Sequence, residues 1–156
     1  GTSNGMHILG LDQPLIPNLL STYQHVTACD PVVVEGDRAY VTLRAGNRCG
    51  GDQSLLEVID ISDKTDPRRM SSFAMEEPYG LGINDNTLFV CEGSYGLKVF
   101  DATDHRNITS RKLAEFPDIH AYDVIPLAGF LFTIGDGGFY IYDYSDLNQI
   151  SLIVKA

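Results

Sequence analysis

The stretch Leu56-Glu57-Val58-Ile59-Asp60-Ile61-Ser62-Asp63 returns twice along the chain. It recurs as Leu97-Lys98-Val99-Phe100-Asp101-Ala102-Thr103-Asp104 and as Phe139-Tyr140-Ile141-Tyr142-Asp143-Tyr144-Ser145-Asp146. Each copy is a run of β-branched and aromatic residues closed by an Asp-x-Ser/Thr-Asp turn, and Asp60, Asp101 and Asp143 stand 41 and 42 residues apart. A period of that length is one four-stranded blade of a β-propeller.

Laying the chain on this repeat divides it into a half blade over residues 1–24 and full blades over 25–75, 76–117 and 118–156. The opening segment belongs because Met6-His7-Ile8-Leu9-Gly10-Leu11 and Pro17 to Tyr23 match Leu56 to Ile61 and Pro67 to Phe73 at the same offset. Runs of four to six residues rich in Val, Ile, Phe and Tyr, bounded by Gly, Pro, Asp or Asn, predict strands. No twelve-residue stretch has a 3.6 period free of Gly and Pro, so almost no helix is expected. The predicted fold is all-β: a single repeat domain over 1–156 of about three and a half four-stranded antiparallel blades, as an open arc or part of a six- to eight-bladed ring. Such a ring at ~42 residues per blade needs roughly 250 to 340 residues. The ends are therefore expected to stay open, with Val32 to Val34 and Val58 to Ile61 facing water and driving self-association through those open ends. A two-sheet sandwich would also use short strands, but it does not account for the threefold repeat.

Charge narrows the partners. Against 11 Lys and Arg stand 21 Asp and Glu, a net charge of −10, which repels nucleic-acid phosphates and anionic head groups. No run approaches the ~18 apolar residues of a membrane span, so the chain is read as not transmembrane; any export signal would precede Gly1.

The pattern in Leu56-Glu57-Val58-Ile59-Asp60, with its Asp-x-Ser-Asp turns, resembles the LVIVD-repeat family, and the likeness runs over nearly the whole chain. The resemblance implies a bacterial exported β-propeller of the cell envelope, often a lipoprotein, with no assigned chemistry. Most members are longer, and a lipoprotein cysteine would lie upstream of Gly1.

In a propeller blade, the loop entering the first strand and the loop joining the second to the third share a face, where function gathers. Here that face would carry Asp30, Arg44, Arg48, Glu92, His120, Tyr122 and Asp136 as candidate ligand-binding residues, together with Tyr79, Asp123, Cys29, Cys49 and Cys91. A Cys29–Cys49 disulfide would close a loop of about 20 residues and stabilise by ~3 kcal/mol; free thiols acting as small hydrophobes are the alternative, and the two stay open. With no local chelating pair, Cys29, Cys49, Cys91 and His120 are not assigned a metal, and no cofactor is expected. The repeated Asp60, Asp101 and Asp143 read as turn-holding residues, because they occupy one place in every unit. Searches for a nucleophile elbow, a phosphate-binding loop, a zinc-protease helix and an EF-hand find none. Gly80-Leu81-Gly82 lacks the third glycine of a dinucleotide fingerprint. The leading reading is a non-enzymatic module binding a protein, peptide or glycan. The alternative is a hydrolase or metal-dependent enzyme with its site at the channel mouth, built from Cys29, Cys91, His120 and Asp136.

Overall fold

The structure, a computed structural model, describes residues 5–24, 31–46 and 51–156. Fourteen strands account for nearly all its regular structure. They are β1 (Met6–Gly10), β2 (Asn18–Tyr23), β3 (Val32–Glu35), β4 (Arg38–Leu43), β5 (Leu55–Asp60), β6 (Arg68–Ala74), β7 (Leu81–Asn84), β8 (Thr87–Cys91), β9 (Leu97–Asp101), β10 (Lys112–Phe116), β11 (Ala121–Leu127), β12 (Phe130–Gly135), β13 (Gly138–Asp143) and β14 (Ser151–Lys155). The sole helical turn among the described residues is the 3₁₀ segment Ile108–Ser110. Among the described residues no helix is long and apolar enough to cross a membrane.

Among the described residues the strands pair with their chain neighbours, all antiparallel, giving the sheets β1-β2, β3-β4-β5-β6, β7-β8-β9-β10 and β11-β12-β13-β14. The recurring stretch is the third strand of each full sheet, as the repeat requires. The correspondence extends to a defect: the pairing of third with fourth strand slips by one residue at Val58/Ile59, between Val99 and Phe100, and at Ile141/Tyr142, and the two-stranded sheet slips at Ile8/Leu9. Leu20, Met70, Leu113 and Ile153 are the extra residues of these four β-bulges.

The turn after the third strand is built the same way each time. Asp60, Asp101 and Asp143 accept the backbone N–H two residues on, from Ser62, Thr103 and Ser145, each at 2.9 Å. Thr103 and Ser145 add their hydroxyls at 2.6 Å. The second aspartate repeats the device, Asp63 accepting from Thr65 N–H at 2.9 Å, Asp104 from Arg106 at 3.0 Å and Asp146 from Asn148 at 2.9 Å. These are Asx turns, in which the carboxylate supplies the acceptor that the backbone lacks where the ladder ends.

Two compact units divide the chain, Gly1–Ala74 and Met75–Ala156. In the first, the half blade covers one face of the next sheet: Met6 joins Ala39, Val41, Leu43, Ile59 and Ile61 in one cluster. Hence Ile59 is fully buried and Ile61 nearly so, although the sequence reading left them facing water; Val58, on the opposite side of β5, is fully buried as well. Two strands suffice to cover Ile59 and Ile61, because Met6 joins the same side of β4 and β5; only Val34 of the named set is exposed. In the second unit, Phe89, Cys91, Leu97 and Val99 of one sheet pack on Val124, Leu131, Tyr140 and Tyr142 of the next. Complete burial of each such side chain stabilises by roughly 1.5–3 kcal/mol. Glycine sets how close the sheets come. A Cβ at Gly80 would lie 2.1 Å from Asp123 Oδ1, and one at Gly82 would lie 2.4 Å from Pro126 Cδ, so this glycine pair serves close approach of β7 and β11. The other face of the β11–β14 sheet is apolar and exposed at Ile125, Leu127, Phe130, Ile134 and Phe139.

Asp101 is the best anchored of the repeated aspartates, since Arg111 adds an ion pair. The Thr103 hydroxyl and N–H, with Arg111, draw its carboxyl down to about 2. That folded value lies below the unfolded one of about 3.9, so the contribution is fully present above pH ~4 and is lost as pH falls through about 2. We predict that Asp101→Ala destabilises by about 1 kcal/mol at pH 7. The difference from the parent should shrink markedly in urea denaturation near pH 2; an equal cost at both pH values would contradict it.

Candidate functional site

The loops at one end of the Met75–Ala156 unit bring six polar and aromatic side chains together, and the repeat explains how. Glu77-Pro78-Tyr79 precedes β7 in the place where His120-Ala121-Tyr122 leads into β11, an offset of 43 residues in each pair. Sheet packing sets these equivalent segments side by side. Their backbones are stitched: Gly93 and Ala121 exchange two N–H···O bonds of 3.1 Å, and Gly80 N–H donates to Tyr122 C=O at 2.8 Å. Asp136 N–H donates to His120 C=O at 3.1 Å.

On this frame Tyr79 and Tyr122 meet edge to face with ring centres 5.1 Å apart, and His120 lies 4.9 Å from the Tyr122 ring. His120 Nδ1 lies 2.8 Å from Asp136 Oδ2, while Tyr122 O–H donates to Asp136 Oδ1. One exposed carboxylate therefore orients two rings. The hydrogen bond to Asp136, aided by partial desolvation, pushes the Tyr122 phenol up to about 12. On the neighbouring segment, Glu77 Oε2 accepts from Ser94 N–H at 3.1 Å and from Ser94 Oγ–H at 3.0 Å, and Tyr79 O–H reaches Glu77 Oε1 at 3.4 Å. Burial acts to raise the Glu77 carboxyl, but the Ser94 bonds outweigh it and hold it below its ordinary value. Glycine suits position 93. Its φ is +49°, and a Cβ would lie 2.4 Å from Glu77 Oε2.

Beneath the cluster sits a buried ion pair. Glu92 is fully buried, accepts Glu76 N–H on Oε1 at 2.8 Å, and is ion-paired through Oε2 with Lys98. A carboxylate removed from water survives only with such compensation, and Lys98 is thereby committed to the interior. The surface above it carries the carboxylates Glu77 and Asp136.

Of the residues expected on this face, His120, Tyr122 and Asp136 come together, with Tyr79 beside them. Glu92 lies beneath them rather than among them. Arg44 is half-buried in the Gly1–Ala74 unit. Asp30, Arg48, Cys29 and Cys49 lie outside the described residues, and the disulfide with them. Cys91, expected on the face, is instead fully buried in the core, where burial and the Asp123 carboxylate push its thiol up. The cause is the strand period, because Cys91 shares the inward side of β8 with Phe89. Glu77, Ser94 and Lys98 were missed; aligning Glu77 on His120 through the repeat would have pointed to the first. Among the described residues no three His, Cys, Asp or Glu side chains are grouped to hold a metal ion. His120 Nε2 is buried without a hydrogen-bond partner among the described residues. The Asp136–His120 pair thus orients a ring and, among the described residues, has no nucleophile on its far nitrogen.

No family model matches the chain, and no curated protein does. Solved structures do. AztD from Citrobacter koseri, in its apo form, superposes with a TM-score of 0.64 over 96% of this chain and 41% of its own, at 14% identity. A europium-containing methanol dehydrogenase gives a TM-score of 0.53 over 83% of this chain and 26% of its own, at 12% identity. The chain thus spans less than half the length of either. Both are β-propeller proteins, and the likeness, with the repeated four-stranded antiparallel sheets, shows a β-propeller fold for this chain.

Removing the carboxylate that raises the Tyr122 phenol should free it. We predict that Asp136→Asn lowers the Tyr122 ionisation from about 12 towards the ordinary value of about 10. The ring-carbon NMR shift followed through an alkaline titration would measure this, and an unmoved midpoint would remove Asp136 as the cause.

Proposed function

We propose that this chain is a non-enzymatic binding module of the bacterial cell envelope, related to the LVIVD-repeat proteins, that recognises a protein, peptide or glycan through the loop face bearing His120, Tyr122 and Asp136. The observation that carries this reading is the bonding pattern of the cluster. Each polar side chain is held by another, so aromatic rings and acceptor oxygens are presented in one geometry, and the cost of ordering them on binding is already met by the fold. Tyr79 and Tyr122 offer ring surface for stacking against a sugar or a side chain, and Glu77 and Asp136 accept hydroxyl or N–H donors beside it. The AztD likeness supports a binding role in the limited sense that its apo form implies a group that can be held. Extracytoplasmic location belongs to the same proposal and rests on the LVIVD resemblance.

The competing enzymatic reading relied on Cys91 as well as His120 and Asp136, and a buried thiol pushed towards its neutral form is a poor nucleophile. Glycan and peptide arrays test the binding reading. We expect retention on one class of probe, reduced at least tenfold by Tyr122→Ala with an unchanged melting temperature. Absence of binding across both arrays, or a Tyr122→Ala variant that binds as the parent does, would sink it.

The exposed face of Ile125, Leu127, Phe130, Ile134 and Phe139 supports self-association as a second part of the proposal. Sedimentation of the 156-residue chain should show concentration-dependent dimers at micromolar levels, abolished by Phe130→Glu. A parent chain that stays monomeric throughout would end that part.

A further inference from the structure

A second concave site lies within the Met75–Ala156 unit, where the end of β10 and the connection into β11 face β13 and β14. It is a groove of about 410 Å³ walled by Phe116, Pro117, Leu152, Tyr140, Tyr142 and Lys155. That volume falls in the range of small-molecule sites, roughly 300–1,000 Å³, which are mostly apolar with a few convergent polar groups.

The polar groups are specific. Tyr140 and Tyr142 project from the same side of β13, their rings stacked at 6.4 Å and 18°, and each is only 4% exposed. The rings are enclosed, but neither hydroxyl is among the buried polar atoms left without a partner; both residues line the groove, and neither hydroxyl makes a hydrogen bond among the described residues. Burial raises the Tyr142 phenol, so it stays a donor across the physiological range. Lys155 places Nζ 5.3 Å from the centre of the Tyr140 ring. It makes no ion pair among the described residues, and its strand is pinned by reciprocal N–H···O bonds of 2.7 and 2.8 Å between Phe139 and Ala156. Of the two acidic residues at the rim, Glu115 is already paired with Lys112, and Asp118 is exposed.

We propose that this groove binds a small organic monocarboxylate with an apolar or aromatic body. The ammonium only donates and the two phenolic O–H groups can donate beside it, so an anionic acceptor satisfies all three at once. One ammonium compensates one charge, and the rim carboxylates disfavour a dianion such as phosphate. Phe116, Pro117 and Leu152 cover the body of the ligand, and Phe116 is itself steadied on Tyr142 at 4.9 Å between ring centres.

The test is NMR titration of the full chain with 3-phenylpropionate, 3-phenylpropylamine and inorganic phosphate in parallel. We expect saturable shifts of the Tyr140, Tyr142 and Lys155 signals with 3-phenylpropionate alone. Lys155→Met should weaken that binding about tenfold and Tyr142→Phe severalfold, while Tyr122→Ala leaves it unchanged, which separates this groove from the loop-face site. Lys155 is exposed, so its variant should fold; its melting temperature checks this. No saturation below about 10 mM, equal binding of the amine, tighter binding of phosphate, or indifference to Lys155→Met would each overturn the proposal.

Discussion

Everything positioned in the Met75–Ala156 unit depends on one contact, the burial of the β8 and β9 side chains against those of β12 and β13. Alternation along the strands puts Phe89, Cys91, Leu97 and Val99 on one side, and Leu131, Tyr140 and Tyr142 meet them from the next sheet. The inner strands can follow only because β7 gives up side chains at Gly82 and just before it at Gly80, where Pro126 and Asp123 press in. Once β7 and β11 are that close, the segments leading into them lie together. Tyr79 then touches Tyr122, and Glu77 comes within the field of His120. The cluster is a consequence of sheet packing at equivalent positions of a repeat.

That origin bears on what such a site can do. A catalytic constellation requires different residue types in complementary roles, such as a nucleophile with a base on it. Here the repeat brings like to like, ring against ring and acceptor beside acceptor, and Asp136 spends both its oxygens orienting neighbours. The only cysteine among the described residues faces the core. Recognition asks for rigid, presented groups, which is the basis of the binding role proposed for the cluster. The groove by Lys155 differs in kind, since it sets an ammonium and two phenols against apolar walls, whereas the loop face presents the carboxylates of Glu77 and Asp136.

The Gly1–Ala74 unit uses the same packing with fewer strands. Its half blade covers the apolar side of β4 and β5 through Met6. Glu57, buried on β5, is held by Tyr23 and Arg69 at 3.0 and 3.1 Å. Glu57 occupies the repeat position of Lys98, so both units bury a charged residue at this place in the third strand and compensate it with a different partner.

Much of this architecture was legible in the chain of residues alone, because it rests on local chemistry that recurs. A run such as Leu56 to Ile61 is too β-branched and too short for a helix, and Asp60, Asp101 and Asp143 terminate their strands with bonds only two residues long. The number and order of strands, the turns and the near absence of helix followed from such terms. What tertiary structure decided was which side of each strand faces a neighbour and which loops converge. Cys91 and Glu92 stand next to each other at a strand end, and only the packing of sheet on sheet reveals that both are enclosed, one among apolar side chains and one on Lys98. Tyr79 and Tyr122, or Phe116 and Tyr142, lie too far apart in sequence for any local pattern to pair them. Their meeting is set by the long-range burial that brings the sheets and strands together.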